Sequence, residues 1–488
     1  MTTAFPLTEP AVRSPLVARI SAVAAARPGA PAITGAQGSL HYGELDELRT
    51  AWWRDLTDRA IPPGSVIALV VADPLFLGPA FLAARSAGLV PLLVDPHMPP
   101  ARRAAVFAAA RPALTMRVAG TPEYEPGAAT PRVLDPAAGY LGFTSGTQGP
   151  PKGIVANENG AFHFVEWEIG ALGLRPGTRV AQLSPPTFEV IIRELFVTLC
   201  GGGELLAAPS RVRANAAAVV PWLADQEAEL VHVVPGLSTR WTEAAPGHRL
   251  PRLRWTVFAG EPLHAGHVHG WWRSAPHSEI INVYGPSETT LAKFWYRVPD
   301  NPLPGVQPVG RPLPGTRLLT SAAPGTPFPV TIETPHGSLG YLPGTASAAD
   351  HAALVRRDGV TTFASKDLGM VTDDGSLVIT GRSDSRVKRL GVFVDLTVIE
   401  ETAAGQPDVR LACCLQTGPE KGGALVLFVE PASDLAAAGL LRRLRRELGP
   451  GAPDDVVALP RMPLSPNGKV DRRALAEQLA GKQIGAAA

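Results

Sequence analysis

From about residue 15 to residue 270, short uninterrupted apolar runs alternate with longer Ala-rich stretches of helical periodicity. Ser65-Val-Ile-Ala-Leu-Val-Val and Val90-Pro-Leu-Leu-Val read as strands buried on both faces. Residues 75 to 87 supply a helix between them and residues 99 to 110 the next. That order predicts a parallel α/β sheet. Trp255-Thr-Val-Phe and Ile280-Ile-Asn-Val are further strand-like runs, each followed by Gly-rich or polar turn residues. Ligand sites of open α/β sheets lie at such strand ends. Residues 299 to 345 are dense in Pro and Gly with short extended pieces at 316 to 319 and 330 to 334, predicting a small β-rich layer. After Leu377-Val-Ile-Thr-Gly-Arg come an apolar run at 424 to 430 and a helical pattern at 435 to 448, which suit a small separate α+β unit.

Composition narrows the function. A chain of 488 residues is too long for one compact core. A net charge of +1 with 18% charged residues supplies no field for nucleic acid or a membrane surface, so small-molecule chemistry is expected. Three cysteines, Cys200, Cys413 and Cys414, form neither a disulfide framework nor a zinc-ligand spacing. The N-terminus carries acidic Glu9 and prolines where a leader needs a basic and then an apolar stretch, so a cytoplasmic enzyme is expected.

Three polar stretches carry candidate chemistry. Gly142-Phe-Thr-Ser-Gly-Thr-Gln-Gly-Pro-Pro-Lys-Gly153 combines turn-forming glycines, hydroxyl donors and a mobile cation, the makings of a phosphate loop. Pro151 stands where a Walker loop needs glycine, so a P-loop nucleotidase is disfavoured. A plain surface loop is the alternative. Asn282-Val-Tyr-Gly-Pro-Ser-Glu-Thr-Thr290 places a carboxylate, hydroxyls and an aromatic ring beyond a strand, and reads equally as a capped Gly-Pro turn. Leu464-Ser-Pro-Asn-Gly-Lys-Val-Asp471 presents one lysine on a tight turn.

Together with Leu40-His-Tyr-Gly-Glu-Leu, Leu92-Leu-Val-Asp-Pro, Phe258-Ala-Gly-Glu-Pro-Leu, Ser365-Lys-Asp-Leu-Gly and Gly381-Arg-Ser-Asp-Ser-Arg-Val-Lys, these stretches resemble, in order, the adenylate-forming superfamily of acyl-CoA synthetases, luciferases and peptide-synthetase adenylation domains. The wording is most similar to a free-standing amino-acid adenylation enzyme of nonribosomal peptide synthesis. The resemblance implies a large N-terminal part of doubly wound α/β subdomains plus a β-rich layer (residues 1–381), a hinge (382–385) and a small mobile α+β C-terminal part (386–488). It implies ATP and Mg²⁺, an amino-acid substrate, and a separate carrier protein bearing phosphopantetheine.

Residue by residue, the resemblance implies that Thr144, Ser145, Gly146, Thr147, Gly149 and Lys152 hold the β- and γ-phosphates, that Ser287 contacts the α-phosphate and that Glu288 binds Mg²⁺. Gly260, Glu261, Asn282 and Tyr284 are expected at the adenine, and Asp367 with Arg382 at the ribose. Lys469 is the expected catalytic lysine, a cation between two anions that must approach each other. Asp384 matches the hinge, and Gly391 the thiol tunnel reached after the small unit swings.

The chain departs from the family pattern at Gln148, Lys366, Arg386 and Asn157, where a small hydroxyl residue, glycine, glutamine and histidine are usual. Phe188-Glu189 replaces a usual Phe-Asp whose aspartate pairs with the substrate ammonium. Glu189 keeps the charge on a longer arm, or pairs with Arg193 at i+4 and touches no substrate. The remaining pocket positions are Val190, Arg193, Val233, Val257, Ala259, Val283, Leu291 and Ala292, mostly small apolar walls that suit a compact aliphatic amino acid, non-proteinogenic ones included. Arg193 would neutralise Glu189 or meet a second carboxylate or polar group. Two other readings stay open: an acyl- or aryl-CoA ligase needing no amine, and a degenerate, non-catalytic binding protein.

Overall fold

A computed structural model describes residues 14–143, 151–389, 392–417, 423–433, 435–465 and 468–486. The observed architecture is mixed α/β. One sheet runs in the order Arg311–Pro312, Phe294–Arg297, Glu279–Tyr284, Trp255–Ala259, Leu230–Val233, Arg179–Gln182, Glu204–Ala207, Pro31–Gly35, Gly38–His41, and its six interior strands from Glu279–Tyr284 to Pro31–Gly35 pair in parallel. A second sheet sets Val66–Val71 between Val90–Val94 and Leu114–Val118, again in parallel. Ala138–Phe143 and Gly153–Asn157 extend it as an antiparallel pair.

The apolar runs are continuous because both faces are covered. Ile67 and Leu69 face one cluster, while Ala68 and Val70 face another. The first of these clusters also holds Val180, Leu205, Val257 and Ile281 of the other sheet, so the main core lies between the two sheets. Helices Leu77–Ser86 and Val190–Cys200 fill that space, buried nearly all round, with Phe81 edge-on to Phe196 at a centroid distance of 4.8 Å. A helix apolar on every side is what such a position demands.

A third sheet, built on Phe328–Thr334, Val360–Val371 and Leu377–Arg382, packs Val330, Ile332 and Leu377 against Phe294. Farther along, Val409–Gln416, Leu425–Pro431 and Asp455–Ala458 form a three-stranded sheet with its own core. Helix Ala437–Leu448 contributes Leu440 and Leu444 to that core, four residues apart on one face, and leaves Arg442, Arg445 and Arg446 outside. This unit touches the rest of the chain at helix Pro235–Ala244. Arg410 pairs with Glu243 at 2.5 Å, and Gly468 lies so close that a Cβ there would come within 2.5 Å of Leu237. Among the described residues no helix is long and apolar enough to cross a membrane.

Candidate active site

The end of strand Trp255–Ala259 meets the turn that carries Lys469. Gly260 has φ +91°, and a Cβ on it would lie 3.4 Å from Lys469 Cε, so the bare backbone is what lets the lysine stem lie across the strand end. Burial pulls the Lys469 ammonium below the usual lysine range, while the charges of Glu261 and Asp367 pull the other way. Burial likewise raises the Glu261 carboxyl, against the nearby Lys469 and the Gly236 N–H that donates to it at 3.2 Å.

Asp367 is gripped from two sides. Tyr284 Oη donates to Oδ2 at 2.5 Å and Arg382 Nη1 to Oδ1 at 2.8 Å. Arg382 also donates through Nε to Asp384 Oδ1 at 2.8 Å, and Lys366 Nζ stands 3.5 Å from Asp384 Oδ2. The lysine that departs from the family pattern at 366 thus adds a second cation to the expected hinge residue. Asn282 is buried, its amide nitrogen donating to Pro308 O at 2.8 Å, which fixes the side chain's orientation.

Glu288 is half-buried, and its Oε1 accepts from Tyr341 Oη at 2.8 Å. Burial raises its carboxyl, the Tyr341 hydrogen bond opposes this, and Lys152 is near enough to lower it. A single hard carboxylate fits Mg²⁺, which is usually held by one or two carboxylates plus phosphate oxygens and water. Ser287 opens the short turn Ser287–Thr289 beside it. Lys152 itself rests on Asp350 at 2.5 Å, and that hydrogen bond holds the aspartate down at about 2. Thr144, Ser145, Gly146, Thr147, Gln148 and Gly149 lie outside the described residues, as do Gly391 and the Pro466-Asn467 part of the lysine turn. Of Arg386 the strand is described but not the side chain.

On the acyl side, Glu189 leads into helix Val190–Cys200 directly after the turn at Phe188. Its Oε1 accepts from Tyr140 Oη at 2.6 Å and from Leu291 N at 3.3 Å. Thr290 and Leu291 both have positive φ, 58° and 59°, a conformation costly for residues with a side chain. Lys293, fully buried, donates to the Thr290 and Ala292 carbonyls and so closes this turn. Burial brings the Lys293 ammonium down to about 7, with Glu189 opposing. Asn157 is the N-cap of helix Glu158–Leu172, accepting from Asn159 N at 3.1 Å, a task that asparagine performs well.

Two expectations need correcting. Arg193 does not pair with Glu189: it turns toward Glu168 of helix Glu158–Leu172, with Nε 3.7 Å from Oε2, and lies over the Phe164 ring at 5.1 Å. Val233 does not join the other pocket positions, because alternate residues of a strand point to opposite faces. Val257, Val283, Leu291 and Ala292 pack in the cluster that includes Phe164, with Ala259 against it, whereas Val233 belongs with Trp241, Phe258 and Leu263 on the far face. The residue of that strand on the pocket face is His232, in register with Val257. His232 Nε2 is 2.7 Å from Glu168 Oε1. Tyr140, Glu168, His232 and Lys293 were therefore missed from sequence, although a lysine inside the run Thr290-Leu-Ala-Lys-Phe-Trp was a visible signal.

Residues 129–339 match the family model described as AMP-binding enzyme. The chain is 30% identical to phosphinothricin tripeptide synthetase PhsB of Streptomyces viridochromogenes, over 96% of its own length and 42% of that protein. It is also 30% identical, over 96% of its length, to CymA of Salinispora arenicola, which is named as a probable nonribosomal peptide synthetase and of which it spans 6%. Novobiocin biosynthesis protein H of Streptomyces niveus is 28% identical, with 94% of this chain and 81% of that protein covered. Two solved structures share the fold with a TM-score of 0.80 at 22% identity: IdnL7, covering 96% of this chain and all of that one, and the four-domain nonribosomal peptide synthetase AB3403 bound to AMP and glycine, covering 94% and 36%.

Proposed function

The chain belongs to the adenylate-forming superfamily of AMP-binding enzymes, and from that premise we propose that it activates an amino acid with ATP and passes the aminoacyl group to the phosphopantetheine thiol of a carrier protein. In the first step a substrate carboxylate oxygen bonds to the α-phosphorus while the bond to the β-phosphate oxygen breaks and pyrophosphate leaves. In the second, the thiol attacks the acyl carbon and AMP leaves.

The reading is carried by Lys469, a half-buried ammonium laid across Gly260 between Glu261 and Asp367. A cation at this strand end offsets the repulsion between carboxylate and phosphate as they approach. Tyr284 and Asp367 would hold the nucleoside, with Asn282, Gly260 and Glu261 at the base and Arg382 steadying Asp367. Lys152 would exchange Asp350 for the β- and γ-phosphates, together with Thr144, Ser145, Gly146, Thr147 and Gly149, and Ser287 would reach the α-phosphate. Glu288 would hold Mg²⁺, which supplies positive charge to the phosphates when bound. Glu189, with its carboxylate oriented by Tyr140 and the Leu291 N–H, would meet the substrate ammonium, and Val190, Val257, Ala259, Val283, Leu291 and Ala292 would enclose a compact side chain.

Asp384, tied to Arg382 and Lys366, would be the pivot about which the unit from residue 386 onward turns after adenylation, bringing the backbone near Gly391 to the thiol. Amino-acid-dependent exchange of pyrophosphate into ATP tests the proposal. Exchange is expected with an amino acid and not with its deaminated analogue, and Lys469→Ala should lower it by about a hundredfold or more. Equal turnover of the deaminated analogue would favour an acyl-CoA ligase, and full activity of Lys469→Ala would remove the catalytic assignment.

A further inference from the structure

Beside the residues proposed to enclose the substrate side chain, with His232 in register with Val257, lies a polar triad that the proposed chemistry leaves unused. Arg193, Glu168 and His232 have side chains only 3%, 1% and 0% exposed. Within the triad His232 and Glu168 share one hydrogen bond of 2.7 Å, while the Arg193 to Glu168 approach of 3.7 Å is an electrostatic contact too long for a hydrogen bond. Four polar atoms of the triad have no hydrogen-bond partner: Arg193 Nε and Nη2, His232 Nδ1 and Glu168 Oε2. Buried polar atoms are almost always partnered, and leaving several unmet in one place costs stability. Arg193 sits one helical turn beyond Glu189, close enough to feel its charge, and His232 stands in register with Val257 of the pocket wall.

The chemistry of the unmet atoms is specific. Burial raises the Glu168 carboxyl, but Arg193 and the hydrogen-bonded His232 beside it hold it below the usual carboxylate range, so it is ionised. Burial outweighs Glu168 at His232 and disfavours its imidazolium. A neutral imidazole donating from Nε2 to Glu168 leaves Nδ1 a bare acceptor, while Arg193 Nε and Nη2 are donors without an acceptor of their own. The charges of Arg193 and Glu168 cancel, so an anionic or cationic side chain would bring an uncompensated charge into a buried site. An apolar one would leave all four atoms unmet.

We propose that Arg193 and His232, held by Glu168, recognise an uncharged group at the end of the substrate side chain that both accepts and donates a hydrogen bond, a carboxamide or a hydroxyl. The substrate is then an amino acid with a short apolar stem and a polar neutral tip, the stem against Val257 and Val283 and the tip accepting from Arg193 while donating to His232. This inference rests on the proposed activation of an amino acid and narrows it.

Pyrophosphate exchange on matched substrates decides the matter. Asparagine and glutamine represent carboxamides, serine and threonine hydroxyls, leucine and valine the apolar counterparts of similar size, and aspartate and glutamate the anions, each offered as α- and β-amino isomers. The expected result is a kcat/KM for one of the neutral polar classes at least about a hundredfold above its apolar and anionic counterparts, since sites built to bond a polar group reject analogues lacking it. Arg193→Met and His232→Leu should each erase that preference while exchange with leucine or valine persists or rises. Should either variant fail to fold, the wild-type panel alone carries the test. Preference for leucine or valine would mean that water fills the triad, and preference for aspartate or glutamate that it binds an anion; either overturns the inference while amino-acid activation stands. No exchange with any amino acid overturns that activation, and this inference with it.

Discussion

The carboxylate of Glu189 is held by residues remote from it in sequence. Tyr140 comes from the second sheet, and the Leu291 N–H from a turn forced into positive φ and closed by Lys293. Burial and the neighbouring Glu189 push the Tyr140 phenol well above its ordinary range, so it stays a donor at any working pH. Hydrogen bonds to charged groups contribute roughly 1.5–3 kcal/mol. Tyr140→Phe is therefore expected to raise KM for the amino acid by about tenfold to a hundredfold and to leave KM for ATP unchanged, as read from exchange kinetics with each substrate varied in turn. At this scale the sequence was legible in part. Glu189 and the apolar walls follow from local motifs, but which of His232 and Val233 faces the pocket depends on strand register, and the turn of Arg193 toward Glu168 depends on a helix that begins thirty-five residues earlier, at Glu158.

Helix Val190–Cys200 illustrates how an element carries such a site. It is buried along its length, and the turn before it, at Leu183 and Ser184, is fastened by Glu194, whose carboxylate accepts from both backbone N–H groups and from Ser184 Oγ at 2.9 Å. Burial pushes this carboxyl up to about 7 from its ordinary 4.5, against those hydrogen bonds. Between these values the unfolded chain ionises while the folded one keeps its proton. The stability present below about 4.5 is thus lost as the pH rises to about 7. The difference is about 3 kcal/mol at 1.36 kcal/mol per unit. Glu194→Gln cannot ionise, so its stability relative to wild type should rise by roughly that amount between pH 4.5 and pH 8, as measured by urea unfolding. The strands at Val66–Val71, Val90–Val94 and Trp255–Ala259 were readable in advance because burial on both faces forces continuous apolar runs. The task of Glu194 was not, since an acidic residue at a helical position looks the same whether it meets water or a backbone turn.

At the scale of the whole molecule, Lys469 reaches Gly260 only because the unit that carries it docks on helix Pro235–Ala244. Gly468, with φ +80°, lies against Leu237 where no side chain would fit. Gly468→Val should therefore hold the unit off, lowering pyrophosphate exchange by about a hundredfold. The melting temperature should fall by only a few degrees, since φ +80° costs a β-branched residue about 1–3 kcal/mol and Leu237 lies at the edge of its cluster. An equal loss of melting temperature and activity would show that the docked arrangement is part of the fold itself. The succession of units along the chain was legible from shifts in composition, whereas this docking rests on one glycine meeting one leucine across more than two hundred positions.

The pair formed by Lys152 and Asp350 carries one more consequence. On the proposed reading, a nucleotide does not find a naked cation waiting in the resting protein; it must displace an internal rival that is already well seated. Binding at that point is an exchange of anions, so a lone sulfate or free phosphate has little to offer, while a triphosphate anchored elsewhere through its base and ribose can win the lysine over.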